Sequence, residues 1–279
     1  MKCDLHLHST ASDGRLTPRE IVKLAVEKGV KIISITDHDS VAGVGEALLE
    51  AINFPLLQII PGVEINTDYT SGEVHVLGYF INYEDPKFVD MLRKIRESRV
   101  ERAQKMIDKL YAMGMRVEFS RVQELARGES ICRPHIAQAL LEKQYIQNEK
   151  EAFDKYIGRN GPAYVEREKV QPSDAVKIIK KAGGLPVLAH PADIVNLDDL
   201  IIELKTVGLV GLEAYYGEYD LPEINRMVAV SRKYNLVTTG GTDYHHFQDG
   251  RETPIGSVDI PLASIEMLYN LSGRHFAVN

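Results

Sequence analysis

Cysteine is scarce in this 279-residue chain, which carries only Cys3 and Cys132, far apart in sequence. That excludes a disulfide-stapled scaffold and a thiolate-rich zinc module, so any metal must be held by nitrogen and oxygen ligands. Long apolar runs are missing as well: none approaches the ~20 residues of a membrane span. The opening Met1-Lys2-Cys3-Asp4-Leu5-His6 lacks the apolar stretch of a signal peptide. The chain is therefore read as cytoplasmic, with no membrane partner. Positive charge is not in excess, since 33 Lys+Arg against 40 Asp+Glu leave a net charge of -7. A polyanionic substrate must then be met by local cations or metals rather than by global attraction. There is no internal repeat and no low-complexity tract. Gly43 and Gly45 lack the Lys-Ser/Thr tail of a phosphate loop, so no nucleoside-triphosphate site is indicated.

What is present is an ordinary globular composition, 44% hydrophobic and 26% charged. The length suffices for one large core that buries roughly 75% of the unfolded surface, or for a core plus a small inserted unit. Apolar blocks alternate with amphipathic helical patterns, the signature of an α/β fold with a mainly parallel sheet. Strands are expected at 2–8, 31–36, 56–60, 74–80, 185–190, 209–214 and 236–240. Seven blocks suit a barrel. Thr17-Pro18-Arg19-Glu20 supplies a capping threonine, a first-turn proline and a glutamate three residues after the cap. It predicts a helix to about Lys28, ended by Gly29. Between 86 and 170 strands give way to helical spacing: Phe88, Met91, Leu92 and Ile95, then Ala103, Met106, Ile107 and Leu110. The expected organisation is a discontinuous barrel, 1–85 plus 171–279, with a helical insertion at 86–170.

His6 and His8 lie two residues apart on the first strand and leave the same face, within reach of one cation. A lone histidine pair suits a surface or core role equally well; the other strand ends shift that balance. His38 in Thr36-Asp37-His38-Asp39, Glu64 in Pro61-Gly62-Val63-Glu64, His190, and Asp243 with His245 each follow an apolar run. In β/α barrels functional residues converge at the C-terminal ends of the strands. Imidazoles and carboxylates gathered in one mouth are costly unless partnered, and bound metal is the economical partner. Imidazole plus carboxylate without thiolate suits manganese, iron or zinc better than copper(I). A glutamate such as Glu64 can bridge two ions. Such a centre holds a hydroxide at neutral pH and neutralises phosphoryl charge, which leads to hydrolysis of a phosphate ester.

The pattern His6-x-His8, Asp13, Thr36-Asp37-His38-Asp39, Pro61-Gly62-Val63-Glu64, His75, Ala189-His190-Pro191 and Thr242-Asp243-Tyr244-His245 resembles the polymerase and histidinol phosphatase (PHP) family of metal-dependent phosphoesterases. It spans nearly the whole chain, in the family's order. Within the family it is most similar to the bacterial branch of nucleoside 3′,5′-bisphosphate phosphatases and 5′-to-3′ exoribonucleases. The resemblance implies a distorted (β/α)7 barrel with a helical insertion and two or three divalent metal ions, manganese first, with iron or zinc as alternatives. One ion falls to His6, His8, Glu64 and Asp243, a second to Glu64, His75 and His190, and a third to Asp13, His38 and His245. Asp13, His38, Asp243 and His245 are the catalytic candidates, since His38 and His245 also suit substrate contact or proton transfer. One departure stands out: His246 occupies a position where the family commonly has glycine.

In the insertion, Ser130-Ile131-Cys132-Arg133-Pro134-His135 reads as a helix start. Arginine's planar fork and a helix N-terminus both suit phosphate, so Arg133 and His135 are expected to contact substrate; an interdomain salt bridge and a satisfied histidine are the structural alternatives. Arg159 is a weaker candidate, better read as a solvated turn. Arg93, Lys94, Arg96, Arg99, Arg102, Lys105 and Lys109 are interspersed with Glu97, Glu101 and Asp108 and read as a mixed solvated face. Cys3 is expected to point away from the histidines and pack; His275 is expected at the surface. The expected substrate is a nucleotide or short oligonucleotide: the 3′-phosphate of a nucleoside 3′,5′-bisphosphate, or short 5′-phosphorylated RNA. A histidinol-phosphate phosphatase and a non-catalytic, metal-stabilised binding module are the rivals. Nothing in the sequence calls for an obligate protein partner.

Overall fold

The computed structural model describes residues 1–69, 72–126, 131–166, 170–246 and 252–276. Seven strands form one sheet in chain order: β1 (Lys2–Leu7), β2 (Val30–Ile35), β3 (Gln58–Tyr69), β4 (Gly72–Tyr79), β5 (Leu185–Leu188), β6 (Gly211–Tyr216) and β7 (Val237–Gly241). All pairings are parallel except those of β4, which runs antiparallel to both β3 and β5. The ends of the sheet curl together. His8 N–H donates to the Tyr244 carbonyl at 2.9 Å, and Leu7 bridges Tyr244. The buried Asp4 carboxylate accepts from Thr242 N, Thr242 Oγ1 and Gly256 N at 2.7–3.0 Å. The result is a nearly closed, barrel-like sheet.

Two glycines permit the close approaches this closure needs. A Cβ at Gly241 would lie 2.4 Å from His6 Cβ and 2.5 Å from its backbone nitrogen, so only glycine lets β7 reach β1 beside that histidine. A Cβ at Gly62 would lie 2.2 Å from Ser34 Oγ.

The barrel interior is filled by Cys3, Leu5, Ile32, Ile60, Leu77, Tyr79, Val187 and Val237, with Ile265 and Leu268 of α10 (Leu262–Leu271) packed against them. Outside, α1 (Pro18–Glu27) and α2 (Ala42–Ala51) cover β1 and β2. The remaining strands pack under α7 (Pro172–Lys181), α8 (Leu197–Val207) and α9 (Leu221–Lys233). Helix α1 starts where its capping residues place it: Thr17 accepts from Glu20 N, Glu20 reaches back to Thr17 N, and Pro18 opens the first turn. Such a cap contributes about 1 kcal/mol. Ile21, Val22 and Ala25 form its buried face, and Gly29 follows at φ 72°.

Between β4 and β5 the described residues are helical: α3 (Pro86–Ala112), α4 (Phe119–Ala126), α5 (Arg133–Glu142), α6 (Glu149–Ala152) and a π-helical turn at Phe153–Ile157. Helix α3, about 40 Å long, serves two cores. Phe88, Leu92 and Ile95 pack with β3 and β4, whereas Ala103, Met106, Ile107 and Leu110 join a separate cluster with α4 and α5.

The structure corrects the strand reading in three places. β3 does not stop at Ile60 but runs to Tyr69, because Pro61 sits where the strand changes partner: 58–61 pair with β2 and 62–69 with β4. Glu64 therefore lies inside a strand rather than past its end. Cys3 and Leu5 face the barrel interior while Leu7 faces α1 and α2. Cys3 packs as expected, but inside the barrel, because register shifts between Asp4 and Leu7 break the alternation along β1.

Candidate metal centre

His6 and His8 leave β1 at its C-terminal end, Asp13 follows in the next loop, His38 succeeds β2, and Glu64 and His75 face each other from the β3–β4 hairpin. His190 follows β5, and Asp243 and His245 follow β7. His190 (φ 26°), Asp243 (φ 55°) and Asp39 (φ 51°), next to His38, all hold left-handed backbone conformations. Such strain in non-glycine residues persists only where the surroundings enforce it, typically at functional sites.

The nine side chains form one cluster. His6 Nε2 lies 3.4 Å from Glu64 Oε2 and 3.3 Å from Asp243 Oδ1; His8 Nε2 lies 3.3 and 3.0 Å from the same two oxygens. His75 Nδ1 is 2.8 Å from Glu64 Oε1, and His190 Nε2 is 3.3 Å from that oxygen and 3.2 Å from His75 Nδ1. Asp13 faces His245 Nε2 at 3.3 Å and His38 Nε2 at 3.7 Å, while the other His38 nitrogen lies 2.7 Å from Glu64 Oε2. His38 thus stands between Glu64 and Asp13 instead of belonging to one set. Among the described residues, three groups bring one donor atom per residue within 4.8 Å of each other: His6, His8, Glu64 and Asp243; His8, Asp13, His38 and His245; and His38, Glu64 and His75.

These residues fit divalent cations. His6 Nε2, His8 Nε2, His38 Nδ1, Asp13 Oδ1, Glu64 Oε2 and Asp243 Oδ1 are buried and make no hydrogen bond. Each such atom is expensive unless something else satisfies it. Burial opposes charge throughout, yet the His38, His75 and His6 imidazoles hold the Glu64 carboxyl well below the usual range. Asp243 and Glu64 raise His8 to about 10. Cations would replace those protons.

A supporting shell orients the ligands. The fully buried Glu213 carboxylate in β6 accepts from His6 Nδ1 at 3.0 Å and from His190 N–H at 2.8 Å. His245 Nδ1 donates to the Asp243 carbonyl at 2.7 Å. Both contacts leave Nε2 with its lone pair toward the cluster. Tyr216 Oη donates to Asp243 Oδ2 at 3.0 Å. Asp37 accepts from Ser9 N–H, Ser9 Oγ and Ser12 Oγ at 2.6–2.7 Å, pinning the loop that carries Asp13. Glu213 and Tyr216 escaped the sequence reading, although a lone glutamate in the apolar run Leu209-Val210-Gly211-Leu212-Glu213-Ala214 is a signal that could have found one of them.

Two cavities open beside Asp13. One, of about 220 Å³, is lined by His38, His75, His245, Arg99, Arg102 and Arg133 among others. The second, of about 380 Å³, is lined by Arg15, His135, Gln138, Glu149 and His246. Arg133 and His135 thus open α5 but line different cavities. Arg133 pairs with Glu73 and lies over the Phe153 ring. His135 Nδ1 accepts the Cys132 N–H at 3.0 Å. Burial, reinforced by Arg99 against the opposing pull of Asp13, lowers its pKa to about 4. Ser130 lies outside the described residues. Arg159 is exposed, and His246 receives the Tyr244 hydroxyl at 2.6 Å.

The basic run on α3 is not one solvated face. Arg93 and Lys94 are exposed and paired with Asp90, and Lys105 with Glu101. Arg96, Arg99 and Arg102, three residues apart, form a buried stripe over the barrel mouth. Arg96 donates to the Asp39 carbonyl at 2.8 Å, Arg99 Nε to Asp39 Oδ2 at 2.6 Å, and Arg102 Nε to the Val165 carbonyl at 2.7 Å. Counting neighbouring acids in the sequence missed this, because only the three-residue period separates the two faces.

Comparison with known proteins supplies family context. The PHP domain model matches residues 4–166. The chain is similar to a 5′-3′ exoribonuclease of Haemophilus influenzae, 32% identical over 88% of this chain and 90% of the relative. It is also similar to a 3′,5′-nucleoside bisphosphate phosphatase of Chromobacterium violaceum, 31% identical over 92% of each. A solved structure from Bifidobacterium adolescentis, described as a metal-dependent phosphoesterase, superposes with a TM-score of 0.87 at 25% identity, covering 96% of this chain and 95% of that one.

Proposed function

The chain belongs to the PHP domain family of metal-dependent phosphoesterases, and on that premise we propose that it removes the 3′-phosphate of nucleoside 3′,5′-bisphosphates and trims short 5′-phosphorylated RNA. One observation carries the chemistry: six histidines and three carboxylates converge with buried donor atoms that make no hydrogen bond. His6, His8, Glu64 and Asp243 hold one ion in this reading. Glu64, His75 and His190, with His38 alongside, hold a second, and Asp13, His38 and His245 with His8 a third. Manganese is the proposed metal. Divalent cations in such a site supply an activated nucleophile at neutral pH and neutralise charge on the phosphoryl oxygens.

The chain's own residues do the rest. Glu213 and the Asp243 carbonyl fix the tautomers of His6 and His245. Arg133, from the opening turn of α5, meets a substrate phosphate with its planar fork. His135 stays neutral near pH 7, and with Nδ1 engaged by Cys132 its proton sits on Nε2. It therefore acts as a hydrogen-bond donor to substrate and not as the acid that protonates the leaving sugar oxygen. The helices between 86 and 170, built on their own apolar cluster, form an inserted unit over the mouth of a barrel made from 1–85 and 171–279. In that position they limit the length of the bound strand. The substrate assignment draws its support from the relatives' activities together with the cationic cavity beside the cluster.

The test is phosphate release by manganese-loaded protein from adenosine 3′,5′-bisphosphate, AMP and histidinol phosphate, with a chelated control. Chelator-sensitive release from the bisphosphate alone is expected. Preference for histidinol phosphate would overturn the substrate and keep the metal chemistry.

A further inference from the structure

Glu73 takes no part in the cluster just described, yet it occupies a commanding place beside it. It precedes His75 by two residues on β4, so the two side chains leave the same face of the strand, about 6.7 Å apart along it. Both line the cavity of about 220 Å³. At His75 that cavity meets the proposed metal ligands. At Glu73 it meets two guanidinium groups: Arg133 Nη2 donates to Glu73 Oε2, and Arg102 Nη2 lies 3.3 Å from Glu73 Oε1.

The two arginines do not depend on Glu73 for their positions. Arg102 donates Nε to the Val165 carbonyl at 2.7 Å and stacks 5.0 Å from the Tyr164 ring centroid. Arg133 lies 5.5 Å from the Phe153 ring centroid, at the start of α5. Withdrawing the carboxylate would leave a rigid pair of planar cations facing a cavity, with the geometry that binds phosphate oxygens in pairs. Glu73 keeps part of its side chain in contact with solvent, 24% exposed, so it can swing out while β4 keeps its pairing.

We propose that Arg102 and Arg133 form a subsite for a second, non-reacting phosphate, and that Glu73 is a carboxylate latch occupying this subsite until a substrate phosphate displaces it. This assignment rests on the nucleotide phosphoesterase reading. The gap between Glu73 and His75 along β4 is comparable to the separation of the two phosphorus atoms of a nucleoside 3′,5′-bisphosphate. A nucleotide with phosphates on both would reach the cluster with one and the arginine pair with the other. A phosphate dianion outcompetes a single carboxylate for two guanidiniums, whereas a substrate with one phosphate leaves the latch shut. Glu73 is thus a specificity-determining residue: it weakens the grip on the second phosphate and keeps the arginine pair neutralised when none is present.

The test uses manganese-loaded, full-length protein and two ligands that cannot be hydrolysed. One is the bisphosphonate analogue of adenosine 3′,5′-bisphosphate, with methylene in place of each ester oxygen; the other is the matching 3′-monophosphonate. Calorimetric titration gives the ratio of their affinities in the wild type, Glu73→Gln and Arg133→Gln. Glu73→Gln is expected to raise the preference for the bisphosphonate about tenfold, the scale of one charge-assisted contact, and to leave monophosphonate binding unchanged. Arg133→Gln, which retains Glu73, is expected to bring the preference close to unity. An unchanged ratio in both variants, or an equal shift for both ligands, overturns the assignment. Phosphate release from the authentic bisphosphate, followed in parallel, addresses the underlying reading separately. Binding differences without hydrolysis would support the subsite and refute the proposed reaction.

Discussion

Replacing Glu213 with glutamine changes one atom and no shape, and its effect follows from two hydrogen bonds. The carboxylate accepts twice, from the His190 backbone N–H at 2.8 Å and from His6 Nδ1 at 3.0 Å. A glutamine in the same place has one acceptor and one donor end. The backbone N–H of His190 cannot turn away, so the amide oxygen must face it and the amide NH2 must face His6 Nδ1. That nitrogen then accepts, and the imidazole proton moves to Nε2, the atom that faces Glu64 and Asp243 at 3.3–3.4 Å. A ligand nitrogen bearing a proton cannot bind metal. Supporting-shell changes of this kind typically lower metal affinity 10–100-fold, about 1.4–2.7 kcal/mol. Folding should change by less than about 1 kcal/mol, because both buried groups keep a partner. Manganese titration followed by the paramagnetic resonance of the free ion gives the affinity, and urea denaturation gives the stability. Glu213→Gln binding manganese as tightly as the wild type would refute the tautomer argument.

Two glycines give predictions of opposite sign. Gly241→Ala puts a methyl 2.4–2.5 Å from His6 backbone and Cβ atoms that cannot yield, so a loss of about 3 kcal/mol and reduced metal content are expected from denaturation and elemental analysis. Gly45→Ala lies inside α2 with nothing nearer than Tyr83 at 3.9 Å, and should gain about 0.5–1 kcal/mol. A stabilised Gly241→Ala would show that β7 does not press on His6 as described. His135 supplies a pH dependence. Burial holds its folded pKa at about 4 against an ordinary 6.5, so the unfolded chain binds the proton first. Its contribution is fully present above pH ~6.5 and is lost as pH falls towards 4, by about 3 kcal/mol in all and about 2 kcal/mol between pH ~7 and ~5. His135→Gln should flatten the acid limb of stability by that amount in denaturation measured at both pH values; an unchanged limb would place the histidine in water.

The sequence was most informative where chemistry recurs at strand ends. His38, His190, Asp243 and His245 each follow an apolar block, His6 and His8 alternate along the first strand, and the fold brings them together because those segments become β1, β2, β5 and β7. Glu64 and His75 were harder to place by periodicity. They face each other across an antiparallel hairpin whose first strand contains Pro61, and a proline inside an apolar run reads as an end. The seven-strand count was legible, but the reversal of β4 was not, since alternation reports burial and not direction. Cys3 packs as expected, but inside the barrel, because a register shift that no residue type in β1 announces breaks the alternation. The buried stripe of Arg96, Arg99 and Arg102 was hidden by the acids between them, and Glu213 by the apolar strand around it. Both have partners distant in sequence, Asp39 and Glu73 for the arginines and His6 for the glutamate, and only the closed sheet reveals them.

The proposed reaction requires that the nine converging side chains be a hydrolytic divalent-metal centre. The most direct test measures bound manganese and phosphate release from adenosine 3′,5′-bisphosphate on the same samples of wild type and Asp243→Asn, before and after chelation. The account predicts at least two ions per chain in the wild type, release abolished by chelation and restored by manganese, and loss of both an ion and turnover in Asp243→Asn. Turnover that survives complete metal removal, or an Asp243→Asn variant with wild-type rate, would contradict it.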